Sequence, residues 1–316
     1  MKKHAIAVLS DEGHLEKAKQ IIYSSYKFGN WKGEYILLAY EIQDKSKLKW
    51  FTDRNIRIVH THYIPEHGMS PENPVSIFYA KLFLFDPALK GYHSILYLDT
   101  DMIVRKDLSE LLKYDSFAAA DDCYLNPFYH QFGISDLRIY KNYPNRSDKL
   151  LNILESYNVN KTSFNAGMML IDSYRNTQER YDEILAEVKK FGAFSVLGDQ
   201  GVLNAYFQKI RKRIPYVYND FYQSDDFNRN SFLKRKNDSA AVILHLTYPY
   251  KPWNPKSDYY KEWKQNLENS DKLFDEVEQI GQKPTAFKTF TTDFINWFNV
   301  RRIRFQAKLR FFFSKF

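Results

Sequence analysis

The chain has 316 residues, 44% of them apolar, enough to bury the core of one large α/β domain or of two smaller ones. A single cysteine, Cys123, excludes an intramolecular disulfide framework and favours a reducing compartment, and no run approaches the roughly 18 apolar residues of a membrane span. The formal net charge is +8, but residues 285–316 hold seven basic side chains (Lys288, Arg301, Arg302, Arg304, Lys308, Arg310, Lys315) against one acid, Asp293, so +6 of it lies in a tail and the body is near neutral.

Ala5–Leu9 is a short apolar run that stops at Asp11. It is too short for the apolar stretch of a signal peptide, no cleavage pattern follows, and it reads as a first strand. His14–Phe28 has helical spacing, with Leu15, Ala18, Ile22 and Tyr26 on one side. Tyr35–Ala39 is a second strand, Lys45–Arg54 a short polar helix and Ile56–Val59 a third strand. Val75–Phe85 reads as an apolar helix ending before Pro87. Ser94–Leu98 is the fourth strand. Phe117–Ala120 and Ala166–Ile171 are further strands, and Tyr174–Phe191 is a helix. "GDQGVLNAYF" opens as a turn and continues as a helix, and "AAVILHL" is a late strand before the Pro-rich loop "TYPYKPWNP". Strands alternating with helices predict a mostly parallel sheet covered on both faces. A compositional break near Gln282–Pro284 precedes the tail.

The stretch "SILYLDTDMIV" places Asp99 and Asp101 directly behind a run that belongs in a core. Ligands of open α/β sheets bind at the carboxyl ends of such strands. In extended backbone, residues i and i+2 share a side, so the two acids converge and Thr100 points away. Two hard oxygen ligands suit Mg²⁺ or Mn²⁺, and without a cation the pair would repel. A solvated turn with two chance acids is the plain alternative, as is a cap for a helix at Asp107–Leu112. Two enzyme classes place a DxD at a strand end: phosphohydrolases with a nucleophilic first Asp, and transferases using nucleotide sugars. The former carry it on the first strand, whereas here it follows the fourth. The first strand–helix turn, "LSDEGHLEKA", lacks the glycines that wrap a pyrophosphate and carries Asp11 and Glu12 instead. A nucleotide diphosphate bound to this sheet would therefore need a metal.

"SFNAGMMLID" sets Asn165 before a buried strand, "LGDQGVLN" sets Asp199 and Gln200 in a turn opening a helix, and "ILHLTYPYKPW" sets His245 at a strand end with Lys251 six residues on. Singly these read as a turn residue, an N-cap, a core histidine and a solvated lysine. Together with "AKLFLFD" and "YLDTDMIV", in this order, they make the chain resemble glycosyltransferase family 8 from about Ala5 to Trp253. The resemblance implies one Rossmann-like nucleotide-sugar transferase domain of the GT-A type over residues 1–270, with a helical tail over 271–316. It implies Asp99, Asp101 and His245 as ligands of Mn²⁺ or Mg²⁺, and Lys251 on the diphosphate. Leu9 and Ser10 would line the uridine site, and Lys81 would reach the donor. Thr100, Ala166 and Tyr248 would border the donor. Asn165, Asp199 and Gln200 would surround the donor sugar, with Asp121 or Asp122 touching it too. Tyr248 replaces a glycine usual in the family, and Val196 stands where glycogenin-like members carry an Asp.

The implied reaction is retaining transfer of glucose or galactose from a UDP-sugar to a saccharide or glycolipid acceptor. Same-face attack beside Gln200 is expected, with Asp199 as a nucleophile the alternative. A DxD phosphohydrolase and a degenerate binding module are the competing readings. In the tail, Phe287, Phe290, Phe294, Trp297 and Phe298, then Phe305, Leu309, Phe312 and Phe316, fall at helical spacing with basic residues between. That pattern predicts an amphipathic helix on an anionic membrane, hence a cytoplasmic protein peripheral at the inner face; packing on the body, an oligomer contact or an RNA-binding arm are the alternatives. No nucleic-acid partner is expected.

Overall fold

Apolar runs from the first third of the chain lie side by side as parallel strands in a computed structural model. β1 (His4–Ser10) pairs in parallel with β2 (Glu34–Tyr40) and β4 (Ser94–Leu98), and β2 pairs in parallel with β3 (Arg57–Thr61). The described residues are 3–122, 126–222, 233, 235, 237–247 and 249–313; Cys123, Tyr248, Lys315 and Phe316, and the side chains of Arg304, Lys308, Leu309, Arg310 and Phe312, lie outside that description.

Successive strand residues point to opposite faces, so each strand feeds two cores. Ile6, Val8, Leu37, Leu96 and Leu98 pack with Ala18, Ile21 and Ile22 of the helix Leu15–Lys27. Ala5, Ala7, Ile36, Leu38, Ile95 and Tyr97 pack with Tyr79, Leu82 and Phe85 on the other face. Burial on both faces explains why these strands read as unbroken apolar runs.

The sheet has seven strands in the order β3-β2-β1-β4-β7-β6-β8, where β6 is Ala118–Asp121, β7 Phe164–Ile171 and β8 Lys212–Ile214. β7 runs antiparallel to both neighbours, β4 and β6, so the sheet is mixed rather than wholly parallel. The late strand predicted in "AAVILHL" does not join it. Ile243–His245 (β9) pairs antiparallel with Met102–Val104 (β5) as a separate two-stranded sheet, and Met102 faces His245 in the register.

The apolar stretch before Pro87 is a 3₁₀ helix over Ser76–Phe85 rather than an α-helix. Three residues per turn stack Ser76, Tyr79, Leu82 and Phe85 in one row, all buried. Lys81 and Phe78 share another row. The helix predicted from Tyr174 begins instead at Gln178, where the Thr177 side chain accepts the Arg180 N–H.

The tail is a helix over Ala286–Phe313. Its polar side faces the body. Thr292, Asn296 and Asn299 are buried, Asp293 accepts the Tyr216 backbone N–H at 2.6 Å, and Asn299 donates to the Leu233 carbonyl at 2.8 Å. Phe287, Phe290, Phe294, Trp297 and Phe305 are exposed, and Phe287 retains 77% of its surface. Among the described residues, no helix is long and apolar enough to cross a membrane.

Candidate active site

The end of β4 meets three other elements. Asp99 follows β4, and its backbone N–H donates to the Gly167 carbonyl of β7 at 2.8 Å. Asp101 opens β5, and its carbonyl accepts the Leu246 N–H at 3.0 Å, which draws the end of β9 against it. Sheet pairing thus brings together residues nearly 150 positions apart in the chain.

Asp99, Asp101 and His245 converge, with one ligating atom from each lying within 4.8 Å of the others. His245 Nε2 is 3.2 Å from Asp101 Oδ1, and that oxygen is buried without a hydrogen-bond donor among the described residues. Lys251 Nζ pairs with the other oxygen, Asp101 Oδ2. Burial alone would push the Asp101 carboxyl up, but a protonated His245 together with Lys251 outweighs it and holds the acid well below the usual carboxylate range. The space between the ligands exists because residue 167 is glycine. A Cβ there would sit 2.6 Å from His245 Cε1 and 2.7 Å from Asp99 Oδ2. Two carboxylates, an imidazole, an orphaned oxygen and this notch fit a hard divalent cation.

A second charged group adjoins the first. Lys81 is 5% exposed, and its Nζ lies 3.3 Å from Asp99 Oδ1 and 3.5 Å from Asp199 Oδ2. Burial opposes the Lys81 charge, yet Asp199 and Asp99 more than compensate and raise its pKa. Asp199 is the first residue of the helix Asp199–Phe207, behind Gly198, whose φ of +61° and missing Cβ suit the turn; a Cβ would meet Val75 Cγ1 at 2.8 Å. Burial pushes the Asp199 carboxyl up to about 7, partly offset by Lys81.

The Gln200 amide is held at both ends. Its oxygen accepts from Asn165 Nδ2 and the Ala166 N–H, each at 3.0 Å, and its nitrogen donates to Gln131 Oε1 at 3.0 Å. Leu9 and Ser10 end β1 and are buried. The loop after β9 lies over the following turn, where Trp253 stands edge-on to His14 and beneath Lys17. The acids of that turn are matched locally, Asp11 by His14 and Glu12 by Lys47. Thr100 sits between the two acids, partly buried.

Asp121 and Asp122 are told apart by their partners. Arg211 and Arg213 bind the two oxygens of Asp121 at 2.8 and 2.6 Å, and Arg213 continues to Asp293 of the tail helix. Asp122 accepts from Asn126 at 3.1 Å. Val196 is exposed. Four further residues belong to the site and were missed. Tyr97 donates its hydroxyl to Asp99 Oδ1 at 2.6 Å, and its place two residues before Asp99 on one strand was a usable signal. Gly167 inside a strand pattern was another. Nothing in the sequence marked Gln131, which reaches the site from the 3₁₀ helix Phe128–Phe132, or Asn219, which follows the 3₁₀ helix Tyr216–Tyr218.

The model for glycosyl transferase family 8 matches residues 6–257, and the chain belongs to that family. The chain is 26% identical over 264 residues to a lipopolysaccharide 1,2-glucosyltransferase of Escherichia coli, a match covering 80% of this chain and 70% of the relative. It is 27% identical over 165 residues to glycosyltransferase GlyF of Streptococcus pneumoniae serotype 4 (strain ATCC BAA-334 / TIGR4), covering 51% of this chain and only 34% of GlyF. Among solved structures, the galactosyltransferase LgtC in complex with donor and acceptor sugar analogs superposes with a TM-score of 0.59 at 17% identity, over 84% of this chain and 95% of that one. This last likeness establishes the GT-A fold.

The raised Asp199 pKa makes a stability prediction for the metal-free protein. In the unfolded chain this acid ionises near the ordinary 3.8, and burial raises it to about 7 in the folded chain. The native state therefore binds the extra proton, and its contribution to stability is complete below about pH 4 and lost as pH rises through 7. Asp199→Asn removes the loss. Thermal melts with chelator should show the variant gaining on the parent by several degrees more at pH 8 than at pH 5, at roughly 2–4 °C per kcal/mol. An equal difference at both pH values would refute the assignment.

Proposed function

We propose that this chain is a retaining glycosyltransferase that moves glucose or galactose from UDP to a saccharide or glycolipid acceptor. The observation that carries this reading is the convergence of Asp99, Asp101, His245 and Lys251 around the Gly167 notch. A Mn²⁺ or Mg²⁺ held by Asp99, Asp101 and His245 would offset charge building on the departing diphosphate. Lys251, half-exposed beside Asp101, is placed to add a second positive charge to the same group. A phosphohydrolase would need a nucleophilic first acid, but Asp99 already accepts from Tyr97 and faces Lys81.

The remaining residues divide by place. Leu9 and Ser10 border the uridine and Thr100 the diphosphate; Tyr248, expected beside the donor from the family resemblance, lies outside the described residues. Lys81 keeps the Asp99–Asp199 side of the pocket charge-balanced. Asn165, Ala166, Asp199 and Gln200 face the sugar. Asp121 or Asp122 touches the sugar as well, with Arg211 and Arg213 holding Asp121. Gln200 is an amide tied at both ends and a poor nucleophile. Same-face attack is favoured, the acceptor proton passing to the leaving phosphate. Asp199 is the alternative nucleophile, though a buried carboxyl titrating near 7 is only partly ionised at neutral pH.

The catalytic unit spans residues 1–270, and 271–316 form a tail that rests on an anionic membrane surface at the cytoplasmic face. Support comes from the orientation of the tail helix: buried polar side chains tie it to the body, and its aromatic row faces out beside Arg301.

Two measurements test these readings. Incubated with a panel of UDP-sugars and Mn²⁺, the protein should slowly release UDP from one donor. Chelator should stop the release, and Asp101→Asn should lower it at least 100-fold; turnover indifferent to both would sink the metal reading. On vesicles containing phosphatidylserine or phosphatidylglycerol, removal of residues 285–316 should cut co-sedimentation several-fold, more at low salt. Equal pelleting of the two forms would refute the membrane assignment.

A further inference from the structure

The amides behind the site form a chain whose direction the backbone dictates. The Ala166 N–H lies 3.0 Å from Gln200 Oε1, and the Gly167 N–H lies 2.9 Å from Asn165 Oδ1. A backbone N–H only donates, so each facing atom must be an amide oxygen. Gln200 Nε2 is thereby turned to Gln131, and Asn165 Nδ2 to Gln200 Oε1. Asn165 Oδ1 then faces Asn219, which must present its Nδ2, at 3.1 Å. That leaves Asn219 Oδ1 against His245 Nδ1, 2.8 Å away.

The last link settles a proton. A neutral imidazole has one donor nitrogen and one acceptor, and its neighbour decides which is which. The Asn219 oxygen can only accept, so Nδ1 carries the hydrogen and Nε2 keeps its lone pair. Nε2 is the atom 3.2 Å from the orphaned Asp101 Oδ1. Two lone pairs then face each other, an arrangement that a cation relieves. Gln131 and Asn219 are 0% exposed and His245 is 2% exposed, so water does not compete for these groups.

We propose that Asn219 is a positioning residue that holds His245 as the Nδ1–H tautomer, with its own direction imposed through Asn165 by the N–H of Gly167. The purpose of this device rests on the metal reading of the site; its geometry does not. It also joins the two halves of the site, because the amides facing the sugar, Gln200 and Asn165, belong to the same chain that orients the ligand histidine. Groups that orient a ligating histidine typically change metal affinity 10–100-fold when removed.

The test is long-range ¹H–¹⁵N NMR of metal-free protein labelled at histidine nitrogen, recorded at pH 9, with His245 identified by its loss in His245→Ala. The wild-type ring should show a protonated Nδ1 and an unprotonated Nε2. In Asn219→Leu the proton should shift largely to Nε2, and Mn²⁺ affinity by calorimetry should fall 10–100-fold. Asn219→Asp, whose carboxylate accepts the same hydrogen, should keep the proton on Nδ1 while losing the donor to Asn165 Oδ1. A wild-type ring protonated on Nε2, or an unchanged ring in Asn219→Leu, would overturn the proposal. The wild-type spectrum decides even if the leucine variant does not fold. Failure of the wild type to bind Mn²⁺ would strike the metal reading instead, and the tautomer would still judge the positioning role.

Discussion

Asp99 and Asp101 put two carboxylates at the rim of a core, and matching that charge shapes much of what surrounds them. Like charges at such spacing drive one acid to protonate unless positive groups answer them. Here Lys81 and Lys251 do so, and His245 stands beside Asp101, each from a different element. Lys81 comes from the 3₁₀ helix and His245 from β9, with Lys251 on the loop beyond it. β7 runs antiparallel beside β4, which sets Gly167 against Asp99 and leaves the notch open. The small β5–β9 sheet has its use in the same place, since its register delivers His245 to Asp101.

The arrangement is costly to the metal-free fold. Asp199 is buried, Lys81 offsets that burial in part, and its carboxyl holds a proton near neutrality. Asp101 Oδ1 is buried without a donor among the described residues. Unmatched groups of this kind lower stability and are kept where chemistry requires them. The site is therefore expected to be the part of the protein most stabilised by its ligands, whose binding adds directly to native-state stability.

Much of this was legible in the sequence. The run Ile95–Leu98 read as a buried strand, and Asp99 and Asp101 directly behind it read as a convergent pair, with a solvated turn the alternative. Asn165, Asp199, Gln200, His245 and Lys251 stood out through their order relative to that strand. Less legible were features set by tertiary pairing. Alternation of strands and helices does not reveal that Phe164–Ile171 turns antiparallel, nor that Ile243–His245 leaves the main sheet. Ser76–Phe85 is apolar on every side, so its pattern could not distinguish 3.6 residues per turn from 3. The tail shows the limit of periodicity most clearly. Its aromatic stripe was visible, but a stripe reports a face and not what covers it; the body takes Thr292, Asn296 and Asn299 instead. Asn219 and Gln131 were invisible because single amides have meaning only beside the atoms they meet.

The central claim is that Asp99, Asp101 and His245 hold a divalent cation. Anomalous diffraction from crystals of the full chain grown with Mn²⁺ and UDP tests it most directly. The account predicts one strong peak within roughly 2–2.5 Å of a carboxylate oxygen from each acid and of His245 Nε2, the range of hard-cation bonds. It also predicts that the peak touches diphosphate oxygens. A peak elsewhere, or ordered UDP with no peak at these residues, would contradict it.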